Sequence, residues 1–282
     1  MSDHLAVVGT DTGVGKTVVT AALTKRLREE DRDTRAVKPC QTGHPPDDDA
    51  GVVREACGEE AAARCGRYLE PPLAPAVAAE ETGEELRYES ILDACESALS
   101  ECEQGLVEGI GGLRVPLADD REVIDLVADL DVPALVVARS GLGTLNHTAL
   151  TVEALRRRAV PVTGVVVNGY EGATTAERTN PAVLREMTDC PVTTVPAVDG
   201  DGAAAVAKTI SKKLDPAVLP AASGGERGRR TCRVSPDRPA RSASTPAPTG
   251  RRSRTRGSRA RTRRSDTAGD RRPSRPRGPI RR

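Results

Sequence analysis

Phenylalanine and tryptophan are absent from the 282 residues, and tyrosine occurs three times. A core without large aromatic side chains must be filled with aliphatic ones, and residues 1–220 are rich in Ala, Val and Leu. No apolar run approaches the ~18 residues that a membrane-spanning helix needs, and a first strand starting at Leu5 leaves no room for a secretory leader, so a cytoplasmic protein is expected. The seven cysteines, Cys40, Cys57, Cys65, Cys95, Cys102, Cys190 and Cys232, are odd in number and never spaced C-x-x-C. That pattern suggests neither a disulfide framework nor a zinc site. The three histidines, His4, His44 and His147, fall in no metal-ligand spacing, and no Ser/His/Asp or Cys/His set emerges. Nucleophilic catalysis by a side chain is therefore not expected.

Lysine is missing from residues 221–282, where 20 arginines stand against 4 acids, whereas residues 1–220 hold 22 bases and 37 acids. The net charge of +1 thus averages an acidic body near −15 and a basic tail near +16. Acidity of this strength keeps a protein hydrated in concentrated salt, so a halophilic source is one expectation and ordinary surface charge the other. The tail has almost no large aliphatic side chains and is expected to be a disordered, low-complexity segment, since it cannot bury enough apolar surface to offset its chain entropy. Its charge would draw nucleic acid in a salt-dependent way, yet it has no aromatic residue for base stacking. An Arg/Pro/Ser/Gly-rich run is also what a GC-rich gene yields when read out of frame, and that frameshift origin is preferred over a solvated extension or a nucleic-acid arm.

What the body does have is Gly9-Thr10-Asp11-Thr12-Gly13-Val14-Gly15-Lys16-Thr17, set between the apolar run Leu5-Ala6-Val7-Val8 and an amphipathic stretch beginning at Val18. A buried strand, a glycine-rich turn and a helix start make a nest of backbone N–H groups that points at phosphate. Lys16 would lie over the outer phosphates and the Thr17 hydroxyl on Mg²⁺. The first Gly stands one residue earlier than in G-x-x-x-x-G-K-[ST], a longer variant of the loop.

Further along, strands are expected at 34–38, 106–112, 134–138, 162–168 and 192–195, with helices at 50–57, 88–102, 123–130, 145–158, 181–188 and 202–214. Strands separated by helices imply an α/β, doubly wound, mainly parallel sheet with helices on both faces. Residues 66–87, with Pro71, Pro72 and Pro75, read as an irregular loop, and the strand before Glu108 reads as short because Glu101, Glu103, Gln104 and Gly105 are poor strand formers. Lys38, Thr42 and Asp49 fall after one strand and Glu108 at the tip of another, where ligands bind in such sheets. Asp47, Asp48 and Asp49 can equally be solvated acids at a helix start. Gly141 to Thr148 places free amides at a helix start, suited to a carboxylate, and Asn168 ends a strand with an amide able to read a base edge.

These motifs together resemble the dethiobiotin synthetase family: GTDTGVGKT at 9–17, VKP at 37–39, TG at 42–43, DDA at 48–50, VEGIGG at 107–112, PLADD at 116–120, LGTLNHTALT at 142–151, VVVN at 165–168 and VP at 195–196. The match spans the body, 1–220. It implies a P-loop NTPase fold and the ATP-dependent carboxylation and ring closure of 7,8-diaminopelargonate with CO₂ by a homodimer. By the same resemblance Gly13, Val14, Gly15, Lys16 and Thr17 hold the triphosphate, with Glu108 and Gly111 beside it, and Asn168 and Pro196 bind the base. Thr17, Asp49 and Glu108 hold Mg²⁺. Thr12, Lys38, Thr42 and Asn146 bind substrate, Asn146 from across the dimer interface, and Lys16, Lys38 and Thr42 act on the reacting groups. No Tyr occurs near Thr179-Asn180-Pro181, where the family can offer one to the substrate carboxylate. Partitioning-type ATPases are the nearest rivals, but they carry a second Lys where Asp11 stands. A cobyrinate-type amide synthetase needs a glutamine-hydrolysing domain that the tail cannot supply.

Overall fold

The computed structural model describes residues 3–197 and 203–215, so the Arg-rich segment 221–282 lies outside the described residues. In chain order the elements are β1 (Leu5–Gly9), α1 (Lys16–Glu29), β2 (Thr34–Lys38), β3 (Gln41–Thr42), α2 (Asp49–Cys57), β4 (Ala63–Cys65), β5 (Tyr68–Leu69), α3 (Pro75–Thr82) and α4 (Tyr88–Ser100). They continue with β6 (Gln104–Gly112), β7 (Pro116–Ala118), β8 (Arg121–Glu122), α5 (Val123–Asp129), β9 (Ala134–Arg139), α6 (Thr144–Arg157), β10 (Val162–Asn168), α7 (Thr175–Thr188), β11 (Val192–Thr194) and α8 (Ala203–Ser211).

Seven strands form one sheet in the order β11-β10-β9-β1-β6-β2-β4. Every ladder in it is parallel, as the alternation of strands and helices predicts. Alternate side chains of a strand face opposite sides, so Leu5 and Val7 pack with α1, α2 and α8, while Ala6 and Val8 join the cluster under α5, α6 and α7. A third cluster lies between Val37, Val107 and the apolar stripe Ile91, Cys95, Ala98 and Leu99 of α4. The core is built of Ala, Val, Leu and Ile, as expected for a chain without Phe or Trp.

Four expectations need correction. Residues 66–87 are not wholly irregular: β5 pairs with β3, and α3 begins at Pro75 and ends on Gly83 at φ +69°. Proline is tolerated in the first helical turn, where its missing N–H would have had no partner, so it starts this helix instead of preventing one. β6 is not short. It is fully buried from Gln104 to Ile110 and pairs with β1 on one side and β2 on the other, with Thr34 opposite Gln104 and Arg35 opposite Gly105. A central position supplies ladder bonds that outweigh weak strand propensity. α7 starts at Thr175, well before Pro181, because Thr174 and Glu177 form a reciprocal capping box. The last helix is described over Ala203–Ser211, shorter than the expected 202–214, and residue 202 lies outside the described residues.

The sheet topology brings the carboxyl ends of β1, β6, β2, β9 and β10 to one edge. Residues far apart in sequence are thereby held close by the strands that carry them.

Candidate phosphate and metal site

The loop from Gly9 to Thr17 turns from β1 into α1. Two of its glycines have left-handed backbone, Gly13 at φ +69° and Gly15 at φ +94°, which exposes successive N–H groups at the helix start. A Cβ on Gly15 would also stand 2.0 Å from Asn168 Nδ2, so the loop and the end of β10 fit only around a glycine. Asn168 Nδ2 donates to Val14 O at 3.1 Å, which places the predicted base-reading amide directly behind the loop. Pro196 follows β11 next to this point, where Tyr170 N donates to Val195 O at 2.9 Å.

Lys16 is buried and turned inward, donating to Gly111 O at 2.8 Å and to Asp11 O at 3.2 Å. Burial, reinforced by the positive charge of Lys38, lowers its pKa to about 8, against the pull of Glu108, Asp49 and Asp11. Thr17 Oγ1 donates to Glu108 Oε1 at 2.8 Å, and Lys38 Nζ reaches the same oxygen at 3.1 Å while also bonding Asp49 Oδ2. The backbone N–H of Asp49 donates to Gln41 Oε1 at 3.0 Å, which orients the start of α2. Asp48, one residue earlier, caps that helix through Gly51 N at 2.9 Å and pairs with Arg54. The two neighbouring acids therefore do different work: Asp48 caps and Asp49 faces the site.

Burial opposes the charge of Lys38, yet Glu108 and Asp49 beside it hold its pKa above the usual lysine range. Burial likewise disfavours ionised Asp49, but the Lys38 ammonium keeps that carboxyl below its ordinary value. Glu108 is pushed up, first by burial and then by the Asp49 charge, despite Lys38. Both carboxylates bond the Lys38 ammonium, and Lys16 adds a second positive charge near them. The cluster's donor set is oxygen only, from Thr17, Asp49 and Glu108. That set fits Mg²⁺, which is held by one or two carboxylates and keeps its other positions for phosphate oxygens and water. Among the described residues no group of three or more His, Cys, Asp or Glu side chains forms an all-protein metal cage.

The hydrogen bonds thus bring together Lys16, Thr17, Lys38, Asp49, Glu108, Gly111 and, through Val14, Asn168. Thr42 lies in β3 beside Gln41, whose Nε2 donates to Thr42 O at 2.8 Å. Thr12 is exposed on the loop's lip, where its carbonyl accepts from Arg139 Nη2 at 3.2 Å. Asn146 sits in the first turn of α6, exposed and outside this bonded network. Sequence reasoning missed Gln41, Arg139 and Ser140. A charged or polar pair closing the apolar run of β9 was the available signal for the last two. A cavity of about 340 Å³ lies elsewhere, behind Pro39 and Gly66 against α4, with a rim where Arg67 pairs with Glu84 and Arg87 with Glu85. The phosphate loop is an open cradle, so enclosed volume does not mark it.

Parallel sheet, phosphate cradle and paired carboxylates define a P-loop nucleotide-binding enzyme, and the model of the AAA domain family AAA_26 matches residues 3–199. An ATP-dependent dethiobiotin synthetase BioD of Haloferax mediterranei is 64% identical over 196 residues, covering 70% of this chain and 84% of the relative. Its namesake in Anaeromyxobacter dehalogenans is 47% identical over 168 residues, 58% of this chain and 75% of the relative. That of Aquifex aeolicus is 35% identical over 186 residues, 66% and 84%. The chain belongs to the dethiobiotin synthetase family and is an ATP-dependent ligase. Among solved structures, the septum site-determining protein MinD of Pyrococcus horikoshii, complexed with Mg-ADP, aligns at TM-score 0.48 and 15% identity over 77% of this chain and 97% of its own.

Proposed function

We propose that the chain makes dethiobiotin from 7,8-diaminopelargonate, CO₂ and ATP at the cluster joining Lys16, Lys38, Asp49 and Glu108. One amine of the diamine adds to CO₂ and loses a proton, giving a carbamate. A carbamate oxygen then attacks the γ-phosphorus and ADP leaves, forming a carbamic-phosphoric anhydride. The second amine attacks the carbonyl carbon, phosphate departs and the five-membered ureido ring closes.

Nothing in this sequence needs a protein nucleophile. It needs two anions, a carbamate and a triphosphate, held in contact, so catalysis rests on positioning and fixed positive charge. Lys16 is half of that charge: its bonds to Gly111 O and Asp11 O are weak alternatives to phosphate oxygens, and exchanging them carries the ammonium onto the β- and γ-phosphates. Lys38 is the other half, acting from the end of β2 on the carbamate, with Thr42 and Thr12 as further substrate contacts. Mg²⁺, held by Thr17, Asp49 and Glu108, would offset the charge of the transferred phosphoryl group. Asn168 reads the base, with Pro196 alongside.

Asn146 would receive the substrate carboxylate at the amide-rich start of α6, across an interface between two copies. Leu142 is 90% exposed and Leu150 57% exposed on the same segment, apolar surface that a second copy would cover. The observation that supports the proposal is the shared hold of Lys38 and Thr17 on Glu108, which suits one site for both the carbamate and the nucleotide. ADP release by the full-length protein, with bicarbonate and with or without the diamine, is the test. The proposal requires release that depends on diamine; release of equal rate without it would identify a generic ATPase instead.

A further inference from the structure

The carboxyl end of β9 is a junction between the glycine-rich loop and the segments that follow β9 and β10. Arg139 points one way, donating to Thr12 O at 3.2 Å and lying 3.4 Å from Asp11 Oδ2, on the lip of the phosphate loop. Ser140 points the other way. Its backbone N–H donates to Asn168 O at 3.0 Å, and its hydroxyl lies 2.7 Å from Gly169 O and 3.0 Å from Glu177 Oε1. Gly141, the next residue, begins the turn that leads into α6, whose first turn carries Asn146, and its carbonyl accepts from Asn180 Nδ2 at 2.8 Å.

Glu177 and Asn180 are three residues apart on α7 and so share one helix face. Glu177 does more than contact Ser140: its Oε2 accepts from Ala173 N at 2.9 Å and Thr174 N at 3.1 Å, which fixes the segment after Asn168. Asn180 is buried, so its bond to Gly141 O is shielded from water. One helix face therefore grips both the segment that follows the base-reading Asn168 and the segment that leads to Asn146. The Ser140 hydroxyl has a single proton and two acceptors, Gly169 O and Glu177 Oε1, so it can shift between them as either loop moves.

We propose that Ser140, held by Glu177, is a positioning residue that couples nucleotide binding at Asn168 to substrate binding at Asn146. The coupling rests on the proposed assignment of those two asparagines. A base settling against Asn168 would tighten the 168–174 segment further and, through Ser140 and Gly141, the start of α6 that carries Asn146 before substrate arrives. A second ligand then binds an already ordered helix start and gains affinity without a new contact. Because Asn146 serves a site completed by a second copy, the effect passes from the nucleotide of one subunit to the substrate of the other.

Calorimetric titration of the full-length protein with 7,8-diaminopelargonate, with and without a non-hydrolysable ATP analogue and Mg²⁺, reads this coupling as a ratio of dissociation constants. A ratio of at least about 5 is expected for the unaltered protein, the lower range of coupling between sites. Ser140→Ala should bring it to about 1 while changing diamine affinity without nucleotide little, and Ser140→Thr, which keeps the hydroxyl, should restore it. Thermal melts identify any variant that has merely lost its fold, and the intact protein's ratio stands independently of them. A ratio near 1 in the unaltered protein, or an unchanged ratio in Ser140→Ala, overturns the proposal. Absence of diamine binding under every condition removes the substrate assignment and the coupling with it.

Discussion

Lys38 Nζ lies 3.1 Å from Glu108 Oε1, with the two side chains only 6% and 3% exposed. β2 and β6 are neighbours in the sheet, so the pair is set by strand register and not by a flexible loop. With Asp49 as third member, it concentrates two acids and one base where the glycine-rich loop, the end of β2 and the start of α2 meet.

Removing the ammonium should therefore cost stability as well as activity. Lys38→Met leaves buried Glu108 facing half-buried Asp49 without a counter-charge, and breaking a buried pair by deleting one partner costs ~3–5 kcal/mol. Urea denaturation measures this, and Mg²⁺ should raise the melting temperature of the variant more than that of the parent. A loss below about 1 kcal/mol, the scale of an exposed ion pair, would mean that the cluster is not charged as described.

The two left-handed glycines of the phosphate loop make a graded prediction. Gly13→Ala meets open space and should cost only backbone strain, ~1–2 kcal/mol. Gly15→Ala adds a collision with Asn168 Nδ2 to the same strain, so it should destabilise more and weaken ATP binding at least about 10-fold, a further 1.4 kcal/mol. Equal effects of the two substitutions, read by nucleotide titration and thermal melts, would contradict the fit between the loop and β10.

Much of this was legible in the sequence, and what was not has physical causes. The cradle announces itself because apolar strand, glycines and Gly15-Lys16-Thr17 are contiguous, and the α/β order follows from periodicity. The length of β6 was hidden because Gln104 and Gly105 are strand residues only by virtue of neighbours on both sides. α3 was hidden by a proline that starts a helix. Asp48 and Asp49 could not be separated from composition, since helix geometry alone decides which of two adjacent acids caps. Arg139, Ser140 and Glu177 act across about 30 to 130 residues of chain, where no local pattern exists to mark them.

Thiol chemistry offers a pH test. Burial, helped by neighbouring Cys65, pushes the Cys40 thiol up to about 12, and burial beside Glu96 does the same for Cys95. Both should resist iodoacetamide at pH 8 in the folded protein and react once it is unfolded. The folded state keeps these protons while the unfolded chain sheds them near pH 9. Stability should thus be intact below pH 9 and fall as pH rises from there toward 12, by as much as ~1.4 kcal/mol per pH unit for each thiol. Rapid native alkylation of either cysteine at pH 8 would contradict its burial.

The acidic body makes a salt prediction. With 37 acids against 22 bases in residues 1–220, self-repulsion should weaken the fold at low ionic strength, and KCl should raise the melting temperature. A melting temperature that falls with added KCl would count against surface repulsion as a controlling term.

The central claim is that a carbamate oxygen attacks the γ-phosphorus at the Lys16–Lys38 cluster, and oxygen labelling follows that atom. In a single turnover begun with ¹⁸O-labelled CO₂, the attacking oxygen leaves with the phosphate when the ring closes. The account predicts inorganic phosphate carrying one ¹⁸O, read by mass spectrometry. Unlabelled phosphate, formed with dethiobiotin while the remaining CO₂ still holds its label, would contradict it.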